Sequence, residues 1–442
     1  MYNRPAWHLD IVPALGTKIL PLKLAQTRSD ITRGPFKTST HRKRLTCCPP
    51  LADNPAADSR HQPICMSSTI EIIALTRQPR DVSRFLNFAY SIYGDDPNWV
   101  APLLMDVKKV FSDANPMFQH AEMQLWMARR DGRDVGRIAG IIERNHNEFH
   151  GERTAFFGFF ECVDDANVSA KLFETVSAWA KQKGMTRILG PMNPTTNDEC
   201  GLLVDGYDSP PVIMMTYNPR YYATLIEGAG CTKAKDLLAF GFDIANGPKE
   251  RFSRFMGKFR KREPDIRIVP IAKKTLAAQV AKLKTVYNQA WEKNWGFVPM
   301  TDAEIDFMAA RLKPLLTDGL AFIAEKGDEP VGFVLALPDF NEAFKPLKGK
   351  LLSPGIFTAL PYLLGWKVPK YLRCLTLGVT AKYRGRGIEA AMLAEALDAS
   401  LKLGIQRGEA SWILEDNVAV QRVIGLFGGE VYKTYRVYER AV

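Results

Sequence analysis

The sequence predicts an α/β protein of mixed α+β character: two like repeats, each a mixed, mainly antiparallel twisted sheet flanked by helices. Three observations predict it. From Thr69 onward, short apolar runs with strand alternation recur between amphipathic helical stretches. Asp131-Gly132 and Gly327-Asp328 each separate two such runs at hairpin spacing. The order of elements in the first part then returns in the second, as an internal duplication requires.

In the first part, "TIEIIALT" reads as a strand and "RDVSRFLNFAYSIYG" as a helix. The hairpin around Asp131-Gly132 follows, then the strand "RTAFFGFFECV". The helix "VSAKLFETVSAWAKQKG" stops at Gly184 and leads to a short buried strand, "TRILGP". After a long loop come "PPVIMMTY", a helix from Asn218 to about Ala229, and the strand "KAKDLLAFGFD". The second part repeats this with the strand "IRIVPIA" and the helix "TLAAQVAKLKTVYNQAWEKN". Another helix opens at a Thr301/Glu304 capping box. The Gly327-Asp328 hairpin, the strand "LRCLTLGVT", the helix "GIEAAMLAEALDASLKLG" and the strand "EASWILE" follow. The helix "NVAVQRVIGLFGG" and the strand "VYKTYRVYE" close the chain. Asn218 stands twelve positions before Gly230, and Asn417 twelve before Gly429, which fits a repeated N-cap and C-terminal glycine. The division is a first repeat over 66–245, a basic linker over 246–264 and a second repeat over 265–442.

Bulk properties narrow the function. With 46% hydrophobic and 24% charged residues in 442, the composition is globular, and no apolar run reaches membrane-spanning length. Seven cysteines without CxxC spacing argue against a disulfide framework or a zinc site, and for a reducing, cytoplasmic setting. The net charge of +11 is not a nucleic-acid signature, because residues 1–65 hold ten Lys/Arg against four Asp and so carry +6 of it. That segment is rich in Pro and Arg and lacks any period, so it reads as a disordered extension. Met66 offers an alternative start, which would leave the extension out of the native protein.

The chemistry is signalled at 383–392, "YRGRGIEAAM", after the run "LRCLTLGVT". A strand, a glycine-containing loop and a helix N-terminus make an anion site from free backbone N–H groups and the helix dipole. Gly385 and Gly387 allow close approach of phosphate oxygens, and Arg384 and Arg386 add charge. A tight strand–helix turn would look the same from a lone RGxG.

Here the chain resembles the GNAT superfamily of acyl-CoA-dependent N-acyltransferases, whose diphosphate signature is Q/R-x-x-G-x-G/A. The match is Arg384-Gly385-Arg386-Gly387-Ile388-Glu389, and the resemblance covers 69–440 as a tandem pair. The first repeat has "CVDDANVSAK" at this point, acidic and without glycine, so it is not expected to hold CoA. The resemblance implies that Thr376, Leu377, Gly378 and Val379 pair with the pantetheine arm, with Asn417 also at the cofactor. It implies a V between this strand and "SWIL", where the thioester sits and main-chain donors polarise its carbonyl. It implies acyl-CoA as co-substrate, an amine as acceptor and no metal.

Two departures stand out. Glu389 replaces the signature's last Gly/Ala; pointing outward it costs little, whereas facing the loop it repels phosphate, and the outward reading is preferred. The family's tyrosine on the helix after Asn417 is absent, leaving Tyr435 and Tyr438 as candidate acids. Glu415 is the candidate base, and it also reads as a surface carboxylate beside a helix N-terminus.

Residues 344–373 mix Leu, Phe, Trp and Tyr with lysines, as expected of a segment lying on a bilayer or roofing an apolar tunnel. The basic stretch 249–263 reads as a solvated interdomain helix whose Phe side chains pack on one repeat, with membrane contact as the alternative. The long loop 190–211 supplies Asn193, Asn197, Asp198 and Glu199 as candidate acceptor ligands, and Trp291 and Trp295, at the helix end in 287–299, suit pocket walls or simply core. His146 and His150, at HxxxH spacing in a hairpin turn, read as exposed and not as metal ligands.

The whole pattern is similar to tandem GNAT-like proteins that include bacterial ceramide synthases. That resemblance implies transfer of a fatty acyl group to a sphingoid or other long-chain base at the cytoplasmic membrane face. The alternatives are an acetyl-CoA N-acetyltransferase of a small polar amine or peptide, and an inactive acyl-CoA-binding scaffold or sensor.

Overall fold

The last strand of each repeat sits in the sheet of the other. This is seen in a computed structural model that describes residues 69–94, 96–292 and 294–442; the extension at 1–65 lies outside the described residues. The strand Thr232–Asp243, which closes the first repeat, pairs antiparallel with Arg407–Leu414 of the second. The chain's final strand, Glu430–Ala441, pairs antiparallel with Arg187–Gly190 of the first. These two exchanged strands pair with each other at the centre, so one sheet of thirteen strands runs through both repeats. Both exchanged strands are paired on each side, so neither leaves an open edge at the join.

The duplication is visible in the pairing. In each repeat a single parallel contact follows an antiparallel meander: Thr154–Phe156 with Arg187–Leu189, and Tyr371–Cys374 with Arg407–Ala410. Each such pair is joined by a helix, Ala166–Gln182 or Ile388–Lys402, because parallel strands need a crossover. Both expected hairpins form, with Asp131 and Gly132 at φ 49° and 76° and Gly327 at 60°. The Thr301/Glu304 capping box also forms.

Three local expectations are corrected. Asn218 does not cap a helix; its buried side chain accepts from Leu203 N and donates back to Leu203 O, and the helix starts at Tyr222. The glycine parallel also slips: Gly230 has φ 85°, but after the second helix the left-handed residue is Gly428, not Gly429. His146 and His150 lie on a helix, Arg144–His150, with His146 buried on Phe156 and kept neutral by burial, its pKa pushed down to about 4. A short helix replaces the turn because Glu143 accepts from the N–H groups of Asn145 and His146.

The helix Lys249–Arg262 packs Phe252, Phe255, Met256 and Phe259 against the core of the second repeat and turns its basic residues outward. Its aromatic residues therefore belong to the core. Residues 341–363 form two short helices with a small core of their own, docked on the first repeat where Leu104 N donates to Gly349 O.

Candidate active site

The strands Tyr371–Val379 and Arg407–Leu414 are paired only up to Cys374 and Ala410, and beyond that point they part. The first then leans on Glu329–Pro338, and the second on Thr232–Asp243. Leu375 is the extra residue of a bulge at the fork; such a residue re-aims the backbone just where the ladder ends. Thr376, Leu377, Gly378 and Val379 thus pair on one edge only, and the other edge faces the opening. Trp291 lies directly against Gly378, leaving no room there for a side chain, and packs on Tyr287 and Phe333.

At the far end of this strand lies the loop Arg384–Gly387. Gly385 and Gly387 have φ of 75° and 82°, a region costly for other residues. Gly387 occupies the N-cap of Ile388–Lys402 without any side-chain cap, so first-turn N–H groups remain available to an anion. The first repeat is the opposite case. Asp165 caps the matching helix, accepting from Asn167 and Val168 N–H, and Arg130 pairs with its carboxylate at 2.6 Å. The fork there is filled by its own chain: Met192 O lies against Gly158, and Asn193 Oδ1 accepts from Phe159 N at 2.6 Å. In the second fork no strand of the chain's own is inserted in this way among the described residues.

Glu389 does not point outward. It is half-buried, and burial raises its pKa against weaker opposing effects from a backbone hydrogen bond and Arg384. A carboxyl inclined to protonate repels phosphate less than an exposed one would. Its anion should therefore oppose diphosphate binding at high pH, and its neutral form should not. Glu389→Gln is expected to tighten CoA binding several-fold at pH 8 and to flatten its pH dependence, as titration calorimetry across pH would show.

The fork itself is a buried polar cluster that the sequence reading overlooked. Arg373 is 1% exposed; its guanidinium donates to Ile213 O (2.9 Å), Met214 O (2.7 Å) and Ser411 Oγ (3.0 Å). Ser411 and Tyr432 hydroxyls both donate to Glu409. Lys433, fully buried, donates to Gly206 O and Ser209 O, and Asp339 accepts from Ile213 N. These contacts pin the 206–215 chain of the first repeat over the fork of the second. A charged residue inside an otherwise apolar strand, as in "LRCL", "GEAS" and "VYKTY", was the available signal.

Tyr435 lies at this fork, fully buried, with its hydroxyl unpartnered and its ring edge-on to Trp412, whose Nε1 is also unpartnered. Buried donors are rarely left so. Glu199, on the hairpin next to Gly201 and Tyr435, is half-buried with a pKa raised by burial, opposed most strongly by Arg373. Other candidates are engaged elsewhere. Tyr438 points into the core of the first repeat and donates to Glu227 at 3.0 Å. Glu415 is ion-paired with Lys233 at 2.6 Å and accepts from Asp236 N, with a lowered pKa that makes a poor base. Asn417 caps its own helix through Val420 N. Asn197 and Asp198 are tied to Tyr287 and Thr195. Trp295 lines a cleft of about 390 Å³ between the repeats, with His146, Lys235 and Asp416. Among the described residues no group of three or more His, Cys, Asp and Glu is placed to hold a metal ion.

The profile of the GNAT acetyltransferase family matches residues 280–428, the stretch carrying fork and loop. Bacterial ceramide synthase of Caulobacter vibrioides is 36% identical over 372 residues, covering 83% of this chain and 96% of that protein. This chain belongs to the GNAT family. Protein YghO of Escherichia coli K12 is likewise 36% identical over 369 residues, 82% of this chain and 93% of the relative. Among solved structures, a tandem GNAT protein from the clavulanic acid biosynthesis pathway superposes with a TM-score of 0.51 at 12% identity. It covers 84% of this chain and 98% of its own, which supports the tandem GNAT fold. As a GNAT protein the chain is an acyl-CoA-dependent N-acyltransferase. In this GNAT chain, the uncapped N-terminus at Gly387 fits the diphosphate of the co-substrate, and the free edge of 376–379 fits its pantetheine arm.

Proposed function

We propose that the protein transfers a long-chain acyl group from acyl-CoA to the amine of a sphingoid or similar long-chain base. The observation that carries this reading is the open fork of the second repeat, roofed by the first, in a chain 36% identical to a bacterial ceramide synthase. The diphosphate sits on the Arg384–Gly387 loop, and the thioester carbonyl reaches the fork beside Leu375. The Glu199 carboxylate takes a proton from the acceptor ammonium. The freed amine attacks the carbonyl carbon and the C–N bond forms; as the C–S bond breaks, the amine's second proton passes to the sulfur, which leaves as the CoA thiol. Tyr435, whose burial holds its proton firmly, donates a hydrogen bond to the departing sulfur. Asn193, Asn197 and Asp198 shape the wall that carries Glu199.

The test is thiol release from palmitoyl-CoA with sphinganine. Turnover with the long-chain amine supports the reading; turnover only of acetyl-CoA with small polar amines sinks it. Tyr435→Phe is expected to lower kcat by roughly 100-fold with CoA affinity unchanged, and an unchanged kcat removes Tyr435 from the mechanism.

A greasy acceptor must be collected from a bilayer, and 344–373 fits that task. Leu352, Phe357 and Trp366 are 83%, 79% and 78% exposed, next to Lys345, Lys348, Lys350, Lys367 and Lys370. Apolar side chains ringed by lysines suit an anionic lipid surface such as the inner face of the cell membrane. No helix among the described residues is long and apolar enough to cross a membrane. Phe357→Ser with Trp366→Ser should reduce sedimentation with phosphatidylglycerol vesicles by about tenfold or more, leaving CoA binding intact. Equal sedimentation would exclude this surface.

A further inference from the structure

We infer that Arg262, at the end of the helix connecting the two repeats, is a ligand of the CoA diphosphate. The inference deepens the acyl-CoA reading and rests on it. Helix Lys249–Arg262 lies along Ile388–Lys402, with Phe259 buried in the core that also holds Ile388 and Phe255 partly buried against it. This places its last turn at the cradle. Arg262 Nη2 donates to Arg386 O, the carbonyl between the two positive-φ glycines, and lies 3.1 Å from where a Cβ on Gly387 would stand.

The charge arrangement fits an anion. Glu263 lies between Arg386 (3.3 Å) and Arg262 (3.7 Å), so in the free protein one carboxylate holds both arginines beside the loop. The C-terminus of a helix is the negative end of its dipole and would repel phosphate; Arg260, Lys261 and Arg262 reverse that sign. A guanidinium carries five donors, and the two contacts named leave others for phosphate oxygens. The Arg262 side chain is 60% exposed, so its replacement does not open the core. Arg260 is occupied by Glu395, and Lys261 serves as the control on the same turn.

The test compares CoA with a donor lacking the diphosphate. For Arg262→Gln, calorimetry should show CoA binding weakened about tenfold or more. The same variant should keep the wild-type KM for an acyl-pantetheine donor, and Lys261→Gln should bind CoA as the wild type does. An arginine that merely braced the loop would leave the salt dependence of CoA binding unchanged in Arg262→Gln, whereas loss of a direct phosphate contact should flatten it; an unchanged salt dependence overturns the inference. Wild-type CoA affinity in Arg262→Gln, or an equal loss with acyl-pantetheine, overturns the inference. If the wild-type protein binds acyl-pantetheine but not CoA, both the inference and the reading beneath it fail.

Discussion

Gly387→Val is expected to abolish measurable CoA binding while the protein remains folded. Gly387 stands at φ 82°, where a β-branched residue is strained by roughly 1–3 kcal/mol. Its new Cβ would stand close to Arg262 Nη2, at 3.1 Å, and in contact with Phe255 Cζ at 3.5 Å, and the two methyls beyond it would crowd both. Relief comes from moving the loop away, which turns the first-turn N–H groups off the diphosphate. The loss should exceed 100-fold or so, since several charge-assisted bonds of about 1.5–3 kcal/mol each depend on that geometry. Gly385→Ala is the milder partner, because nothing stands within 4 Å of a Cβ there and only backbone strain remains. Calorimetry with CoA measures both, and circular dichroism confirms the fold. Wild-type affinity in Gly387→Val would mean the loop is an ordinary turn.

The second large effect is expected at Arg373. Arg373→Met should lower unfolding stability by about 3–5 kcal/mol, because it breaks one side of a buried charge network. Glu409 would lose one of two nearby cations, Lys433 being the other, and Ile213 O and Met214 O would lose their donor. Activity should vanish with it, since the same contacts hold the first repeat over the fork. Arg373→Lys cannot restore three differently directed donors. Adding Glu409→Gln to Arg373→Met should recover part of the loss by removing the stranded charge. Urea unfolding of the single and double variants gives the coupling; simple additivity would show that the two side chains do not act together.

Much of the fold was legible in sequence because periodicity reports local burial. The hairpins at Asp131-Gly132 and Gly327-Asp328, the capping box at Thr301 and the loop at Gly385–Gly387 each depend on a few adjacent residues. The candidate site was read less well. Glu415 and Tyr438 have suitable chemistry, but Lys233 and Glu227, 182 and 211 positions away, engage them. Glu389 looked free to face solvent, and the surrounding packing half-buries it. Arg373, Glu409 and Lys433 drew no notice because the strands that carry them are otherwise ordinary.

The sequence by itself determined which repeat carries the glycine loop ahead of a helix with no side-chain cap, since glycines at 385 and 387 and an aspartate at 165 act within one helical turn. Only the tertiary structure decided that the terminal strands change places, that the 206–215 chain covers the opposite fork, and that Arg262 reaches the cradle. Strand pairing uses backbone groups common to nearly all residues, so side-chain pattern says that a strand exists but not which neighbour it takes.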